Sequence, residues 1–216
     1  MHLLFDLDGT LTDSKLGIVA SMRHALRAVS VEAPPDDDLA RLIGPPTYDA
    51  FAQLLGTMDR PTLERAVQAY RDRYATVGMF ESRVYPGVAD GLETLRAAGL
   101  GLCVVTSKPH VYARRIIEHF GLRGFFREVY GSELSGLGGD KGVLIAQVLL
   151  AEGALAHETW MIGDRSHDVV GAKKNGLRAA GVLWGYGTRD ELVDAGADVL
   201  YASMPELVRS FTSRPA

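Results

Sequence analysis

The sequence predicts an α/β fold: a doubly wound parallel sheet interrupted once by an inserted all-helical segment. Three observations predict it. Short, unbroken apolar runs recur along the chain, and each is followed by apolar residues at helical spacing. Unbroken apolar strands suit a sheet covered by helices on both faces, and strict strand–helix alternation suits parallel order. The alternation fails once, between residue 14 and about residue 83, where helical patterns follow one another without a convincing strand.

The elements read in order as follows. HLLFDL (2–7) is the first strand. SKLGIVASMRHALRAV (14–29) reads as a helix with Ser14 as its N-cap, and Asp13 and Ser14 read as the hinge into the insertion. VEAPPDDD (31–38) is rich in turn formers, and Pro45 and Pro46 in LIGPP shape a rigid turn. TYDAFAQLLGT and a long segment from about Pro61 to Val77 are helical. VYPGV (84–88) returns the chain to the sheet. Four further strand–helix pairs follow: LGLCVVTS (100–107), FFREVYGS (125–132), TWMIGD (159–164) and AAGVLWG (179–185) each precede a helical pattern. ADVLYAS (197–203) and PELVRSF close the alternation, and GLGGD (136–140) is a loop. The domains are therefore a core of residues 1–13 and 84–216, and a helical cap of residues 14–83.

Composition narrows the function. The chain has 216 residues, 47% hydrophobic and 23% charged, with a net charge of −4. That length supports one good core with a small extra lobe. The charge gives no non-specific attraction to a nucleic acid polymer or an anionic membrane. No apolar run reaches the ~18 residues of a membrane span. The opening residues lack a basic leader, and Asp6 and Asp8 break their apolar stretch, so a cytoplasmic location is expected. Cys103, the single cysteine, lies in an apolar run and reads as a buried small hydrophobe. Trp160 and Trp184 read as core. His24, His110, His119, His157 and His167 show no metal-binding spacing and read as structural or surface residues.

Ligands of open parallel sheets bind beyond the carboxyl ends of the strands. The first strand ends in Asp6-Leu7-Asp8-Gly9-Thr10, the second in Thr106-Ser107-Lys108, and the fourth in Gly163-Asp164 with Asp168 close behind. Lys141 begins a helix between the third and fourth. Three carboxylates on one rim repel one another, by roughly 4 kcal/mol per pair at about 4 Å near a protein surface. A hard divalent cation such as Mg²⁺ relieves this with oxygen ligands, and zinc does not suit a rim without cysteine. An Asp beside such a cation can attack phosphorus and form an aspartyl-phosphate. Mg²⁺, Lys141 and the Thr106 hydroxyl would offset the repulsion between carboxylate and phosphate. Asp8 would protonate the leaving oxygen and later activate water. Gly9 allows a turn sharp enough to aim amides at the phosphate.

Taken singly, these residues also have plain readings. Asp before Gly is a common turn, and Asp164 and Ser107 could each cap the helix that follows it. Asp168, four residues after Asp164, could share a helix face with it. Lys108, Lys173 and Lys174 compete with Lys141 for the phosphate, and Arg41 is either a bidentate substrate contact or half of a surface ion pair.

DLDGTLTDS, VVTSK, the downstream Lys141 and GDRSHD, in this order, resemble the haloacid dehalogenase superfamily over nearly the whole chain. The resemblance implies a Rossmann-like core with Asp6 as nucleophile and Asp8 as general acid and base. It implies that Thr106 binds phosphate and Lys141 stabilises it; Gly9, Ser107, Lys108 and Arg41 are further candidate phosphate or substrate contacts by their position and chemistry. Asp6, Asp8 (through its backbone carbonyl), Asp164 and Asp168 would hold Mg²⁺ or orient its waters. Dehalogenases of the superfamily lack an Asp at the position of Asp8, so phosphoryl transfer is expected. The insertion resembles the small helical cap, which excludes water and reads substrate. LIGPP with Arg41, GAKKNG and GVLWGYG resemble the phosphoglycolate phosphatase-like branch, some members of which are described as 5′-nucleotidases. GGDKGVL departs from that family's usual Lys-Pro pattern.

The function expected is a Mg²⁺-dependent phosphatase for a small phosphorylated metabolite, 2-phosphoglycolate or a nucleoside monophosphate. Arg41 in the site would favour the short acid; Tyr48 or Phe51 there would favour a stacked base. A sugar phosphomutase is the alternative on the same residues, and a non-enzymatic phospho-ligand binder is the alternative from another class. A monomer and a homodimer are equally compatible with the sequence.

Overall fold

The computed structural model describes residues 1–213, so residues 214–216 of the expected core lie outside the described residues. The chain opens with β1 (His2–Phe5) and a two-residue strand, β2 (Thr12–Asp13). Four helices follow: α1 (Lys15–Ala28), α2 (Asp36–Ala40), α3 (Thr47–Leu55) and α4 (Arg60–Tyr74). A second two-residue strand, β3 (Arg83–Val84), leads into α5 (Val88–Ala97). Then come β4 (Gly101–Pro109), α6 (His110–His119), β5 (Glu128–Ser132), α7 (Lys141–Glu152), β6 (Thr159–Gly163) and α8 (Ser166–Lys174). The last elements are β7 (Arg178–Val182), α9 (Arg189–Asp194), β8 (Val199–Tyr201) and α10 (Met204–Thr212).

Six strands form one parallel sheet in the order β5-β4-β1-β6-β7-β8. Counted along the chain, that order is 3-2-1-4-5-6, the doubly wound arrangement whose crevice opens beside the first strand. β1 is central: His2 is in register with Gly101 on one side and with Thr159 on the other.

The alternation of side chains along each strand divides the core in two. Leu3 and Phe5 pack with Leu102, Val104 and Ile162 beneath α5, α6 and α10. Leu4 packs with Cys103, Val105 and Met161 beneath α7, α8 and Leu192 of α9. Each fully buried aliphatic side chain contributes ~1.5–3 kcal/mol. Those apolar faces hold rigid the strand ends, where charged groups must be buried.

β2 and β3 pair antiparallel, with Thr12 opposite Val84 and Asp13 opposite Arg83. The Arg83 guanidinium lies 2.9 Å from the Asp13 carboxylate. The chain therefore leaves for the helices and returns from them side by side. Ser14 occupies the N-cap position of α1 but makes no side-chain cap bond; its amide instead donates to the Tyr186 hydroxyl at 2.7 Å. The aspartates read as part of a turn at 36–38 form the first turn of α2, where acids complement the helix dipole.

Candidate active site

Asp6 directly follows β1, and its amide continues the ladder by donating to the Ile162 carbonyl at 2.9 Å. Its side chain is thereby fixed at the centre of the sheet's carboxyl edge. Lys141, the first residue of α7, reaches this point from the opposite face: its ammonium lies 2.9 Å from Asp6 Oδ1, 2.8 Å from Asp168 Oδ1 and 2.8 Å from the Val105 carbonyl oxygen. Two devices aim it. The Asp140 carboxylate caps α7 by accepting from the Val143 amide at 2.9 Å. Gly171 of α8 lets the helices close up, since a Cβ there would stand 3.0 Å from Lys141 Cγ. The Asn175 amide group then ties both helices by donating to the carbonyls of Gly142 and Gly171, each at 2.9 Å.

Burial works to raise the Asp6 carboxyl, but the Lys141 ammonium outweighs it, helped by the His167 ring and the Leu7 amide, and holds it below the usual carboxylate range. Asp6 is thus an anion. Burial likewise opposes the Lys141 charge, and Asp168 and Asp6 overcome that opposition, holding the ammonium above the usual lysine range.

Asp8 has a lysine of its own. Lys108 Nζ lies 2.7 Å from Asp8 Oδ2, with only 6% of the Lys108 side chain exposed. It also donates a short hydrogen bond to the Tyr74 hydroxyl. Asp8 Oδ1 is buried without a hydrogen-bond partner. Of the lysines weighed from sequence, then, Lys141 contacts the first acid and Lys108 the second. Lys173 pairs with Asp198 at 2.6 Å near the surface.

Asp164 follows β6 and is fully buried. The Thr10 hydroxyl donates to its Oδ1 at 3.0 Å and the Tyr186 amide to its Oδ2 at 2.8 Å. Gly9, at φ +83°, admits this carboxylate: a Cβ there would stand 2.2 Å from Asp164 Oδ2. The Trp184 indole donates to the Thr10 carbonyl at 3.0 Å, so the loop after β7 braces both ends of the contact. Trp184, read as core, is half-buried and serves this loop. Burial, followed by the Asp168 and Asp6 carboxylates, pushes Asp164 well above the usual range, against the pull of the Tyr186 amide and the Thr10 hydroxyl.

Asp168 and Asp164 do not share a helix face. Asp164 precedes α8, and Asp168 lies in its first turn, where its Oδ2 accepts from the Arg165 amide at 3.2 Å. Arg165, not Asp164, is the N-cap residue.

Two candidates have other partners. The Arg41 side chain is 80% exposed and 3.3 Å from Asp38, a surface pair outside the cavity. The backbone of α2 turns it outward, while the buried Leu39 and Ala40 face in. The Ser107 hydroxyl, which does not cap α6, is spent on the Gly139 carbonyl at 2.8 Å; Pro109 holds the cap position. Thr106 is buried at the end of β4, and its hydroxyl accepts from the Lys108 amide at 3.3 Å.

Sequence reasoning missed several residues. His167 stands beside the acids, with its Nε2 buried, unpartnered and 3.9 Å from Asp168 Oδ1. Among the described residues, Asp6, His167 and Asp168 are the group of three whose ligand atoms fall within 4.8 Å of one another. The Lys141 ammonium already stands against both carboxylates of that group and repels a cation placed there. Tyr70 and Tyr74, on a helix otherwise polar enough to pass as solvated, line the cavity over Asp6, Asp8 and Thr106 together with Ile18, Met22 and Tyr112. Tyr48 borders a separate groove, and Phe51 is completely buried in the core. The cavity holds about 50 Å³, room for one or two waters.

The donor set fits a hard divalent cation. Asp6, Asp8, Asp164 and Asp168 bring four buried carboxyl groups, all oxygen donors, to one edge of the sheet, where Asp168 and Asp6 push the Asp164 carboxyl up. A dication among these oxygens would relieve that repulsion, which the Lys141 and Lys108 ammoniums leave in place.

A doubly wound sheet with two acids after its first strand, a lysine from the far face and a further acid pair after the fourth strand defines a class. The chain belongs to the haloacid dehalogenase-like hydrolases, whose family model matches residues 3–182. A 5′-nucleotidase of Pseudomonas aeruginosa is 45% identical over 194 residues, 88% of this chain and 86% of its own. The tyrosine-protein kinase PtkA of Mycobacterium tuberculosis is 40% identical over 189 residues, 87% of this chain, which spans 64% of that protein's length. A solved structure described as a predicted phosphatase from Clostridium acetobutylicum superimposes with a TM-score of 0.94 at 37% identity, covering 99% of this chain and 98% of that one. Other relatives carry the name phosphoglycolate phosphatase. No helix among the described residues is long and apolar enough to cross a membrane.

Proposed function

We propose that this chain hydrolyses phosphate monoesters of small metabolites through an aspartyl-phosphate at Asp6. The observation that carries the reading is the division of labour between two lysines: Lys141 keeps Asp6 ionised, and Lys108 fixes Asp8 beside it. An Asp6 oxygen attacks phosphorus as the bond from phosphorus to the ester oxygen breaks. Asp8, which enters the cycle protonated on the unpartnered Oδ1 while Lys108 holds Oδ2, gives that proton to the departing oxygen. Asp8, now a carboxylate, takes a proton from water as the water oxygen attacks phosphorus, and the bond to Asp6 breaks. Inorganic phosphate leaves with both acids restored. The Thr106 hydroxyl and the amides after Asp6 offer donors to the phosphate oxygens.

Asp6, Asp164 and the backbone carbonyl of Asp8 would hold Mg²⁺, with Asp168 orienting its waters. The ion supplies charge neutralisation at the transferring phosphoryl group. Residues 14–83 act as a cap in this reading. Its helices contribute Ile18, Met22, Tyr70 and Tyr74 to the cavity and exclude water. A cavity of about 50 Å³ requires the cap to lift for substrate entry. The rings of Tyr70, Tyr74 and Tyr112 in the cavity wall, beside the single guanidinium of Arg71, favour a nucleoside monophosphate over a short phosphorylated acid, in line with the name of the 45% identical relative.

The test is phosphate release from AMP, UMP, 2-phosphoglycolate and glucose phosphates, with Mg²⁺, with chelator and with Asp6→Asn. Mg²⁺-dependent turnover that falls at least about 10⁴-fold in Asp6→Asn is expected. Turnover that survives Asp6→Asn overturns the nucleophile, and turnover that survives chelation overturns the metal.

A further inference from the structure

We infer that Lys108 is a positioning residue that couples the helical insertion to the acid Asp8, so that the acid is held in place only while α4 is seated. This inference rests on the phosphatase reading above. The two lysines of the site differ in what they grip. Lys141 has three oxygen partners, from Asp6, Asp168 and Val105, and all belong to the sheet or to α8. None of the three lies in the insertion. Lys108 straddles the boundary: one partner is Asp8 Oδ2, which follows β1, and the other is the hydroxyl of Tyr74, the last residue of α4.

Tyr74 is itself clamped between the two parts. Its ring stacks on Tyr70 at 5.2 Å and 10° within α4, and meets Tyr112 of α6 edge-on at 5.7 Å. The Lys108 ammonium also lies 4.6 Å from the Tyr74 ring centre, so one tyrosine supplies both an oxygen and a π face. An ammonium with so little exposure needs such partners in place of bulk water. When α4 lifts, Lys108 loses the oxygen and the ring together and is drawn toward water. Asp8 then loses the contact that fixes Oδ2 and aims the unpartnered Oδ1 into the cavity. Proton transfer depends on that aim within a few tenths of an ångström. β4 loses its regular register with β5 between Thr106 and Pro109, the segment that carries Lys108.

The test uses two esters and three variants: Tyr74→Phe, Lys108→Met and the double. One ester is an alkyl monophosphate, whose leaving oxygen needs a proton. The other is p-nitrophenyl phosphate, whose leaving oxygen does not, read as the burst of p-nitrophenolate in the first turnover with Mg²⁺ present. A positioning role predicts that alkyl ester turnover falls roughly 10–100-fold in Lys108→Met and several-fold in Tyr74→Phe, while the burst stays within about 2-fold of wild type. The double variant is expected to be no worse than Lys108→Met by more than about 2-fold, because both substitutions break one device. Equal losses on both esters, or losses that multiply in the double, overturn the inference. If Lys108→Met fails to fold, Tyr74→Phe, which removes one oxygen, carries the comparison of esters alone. A wild-type protein that releases phosphate from neither ester overturns the phosphatase reading itself, and the inference with it.

Discussion

Glu191 shows how much of this site is held by charges outside it. Its Oε1 accepts from the Ser166 amide at 2.8 Å and from Arg165 Nε at 3.0 Å, which secures the start of α8 and so Asp168. Burial works to raise this carboxyl, but the Ser166 amide and the Arg165 guanidinium outweigh it and hold it below the usual glutamate range. A depressed carboxyl stabilises the fold above its unfolded-state pKa of about 4.5, and the contribution is lost as pH falls through the lower folded value. Glu191→Gln should therefore melt below wild type at pH 7, and the gap should close as pH falls from about 5 to about 3. Thermal melts across that range measure it; a gap independent of pH would assign the loss to packing. Neither Glu191 nor Arg165 carries a sequence signal, because their partners are backbone groups and each other. Arg41 was left open between two roles for a related reason: an arginine beside a Gly-Pro turn looks the same whether it faces in or out, and the side chain pairs with Asp38 at the surface while Leu39 and Ala40 are buried. The acids were legible because Asp6 and Asp8 end an apolar strand, where a plain core would not place them.

Helices α7 and α8 form the mount for Lys141. The lysine is carried on one helix and aimed by the other, through Gly171 and the paired bonds from Asn175. Asn175→Ala removes both bonds and leaves two carbonyls to find other donors, a cost of about 1–3 kcal/mol. The expected result is a lower urea midpoint with an unchanged slope and a kcat reduced several-fold at nearly constant KM. An unchanged kcat with the stability loss would show that Lys141 needs no such mount. The six strands of the main sheet were legible because each lies in a short apolar run followed by a helical pattern. β2 and β3 were not, since two residues have no period, and their pairing joins positions some seventy residues apart. α2 was hidden by its aspartates, which read as turn formers until they are seen at a helix start.

Across the whole molecule, the insertion is fastened to the sheet on two sides. Lys108 reaches Tyr74 on one side. On the other, Arg165 donates to the carbonyls of Arg41, at 3.2 Å, and Ile43. The second fastening runs from the segment that carries Asp168 to the loop over the cavity, where Gly44 leaves room for the His167 ring. Arg165→Ala should free that loop. Faster amide exchange over residues 41–47 and a KM raised about 3–10-fold are expected, with exchange in β1 and β4 unchanged. Hydrogen exchange by mass spectrometry decides it; protection of 41–47 equal to wild type would mean that Arg165 fastens nothing.

The central position of β1 also sets a timetable. Its partners along the two edges begin at Gly101 and Thr159, so the strand that carries the nucleophile is made long before either neighbour. At ~5–20 residues per second of synthesis, the interval before β6 can pair with β1 is roughly 8–30 s. Throughout it Asp6 has neither its crevice nor Asp164 across from it. A nascent chain therefore carries the reactive carboxylate without the means to use it, and the site comes into being only when most of the polypeptide has been made.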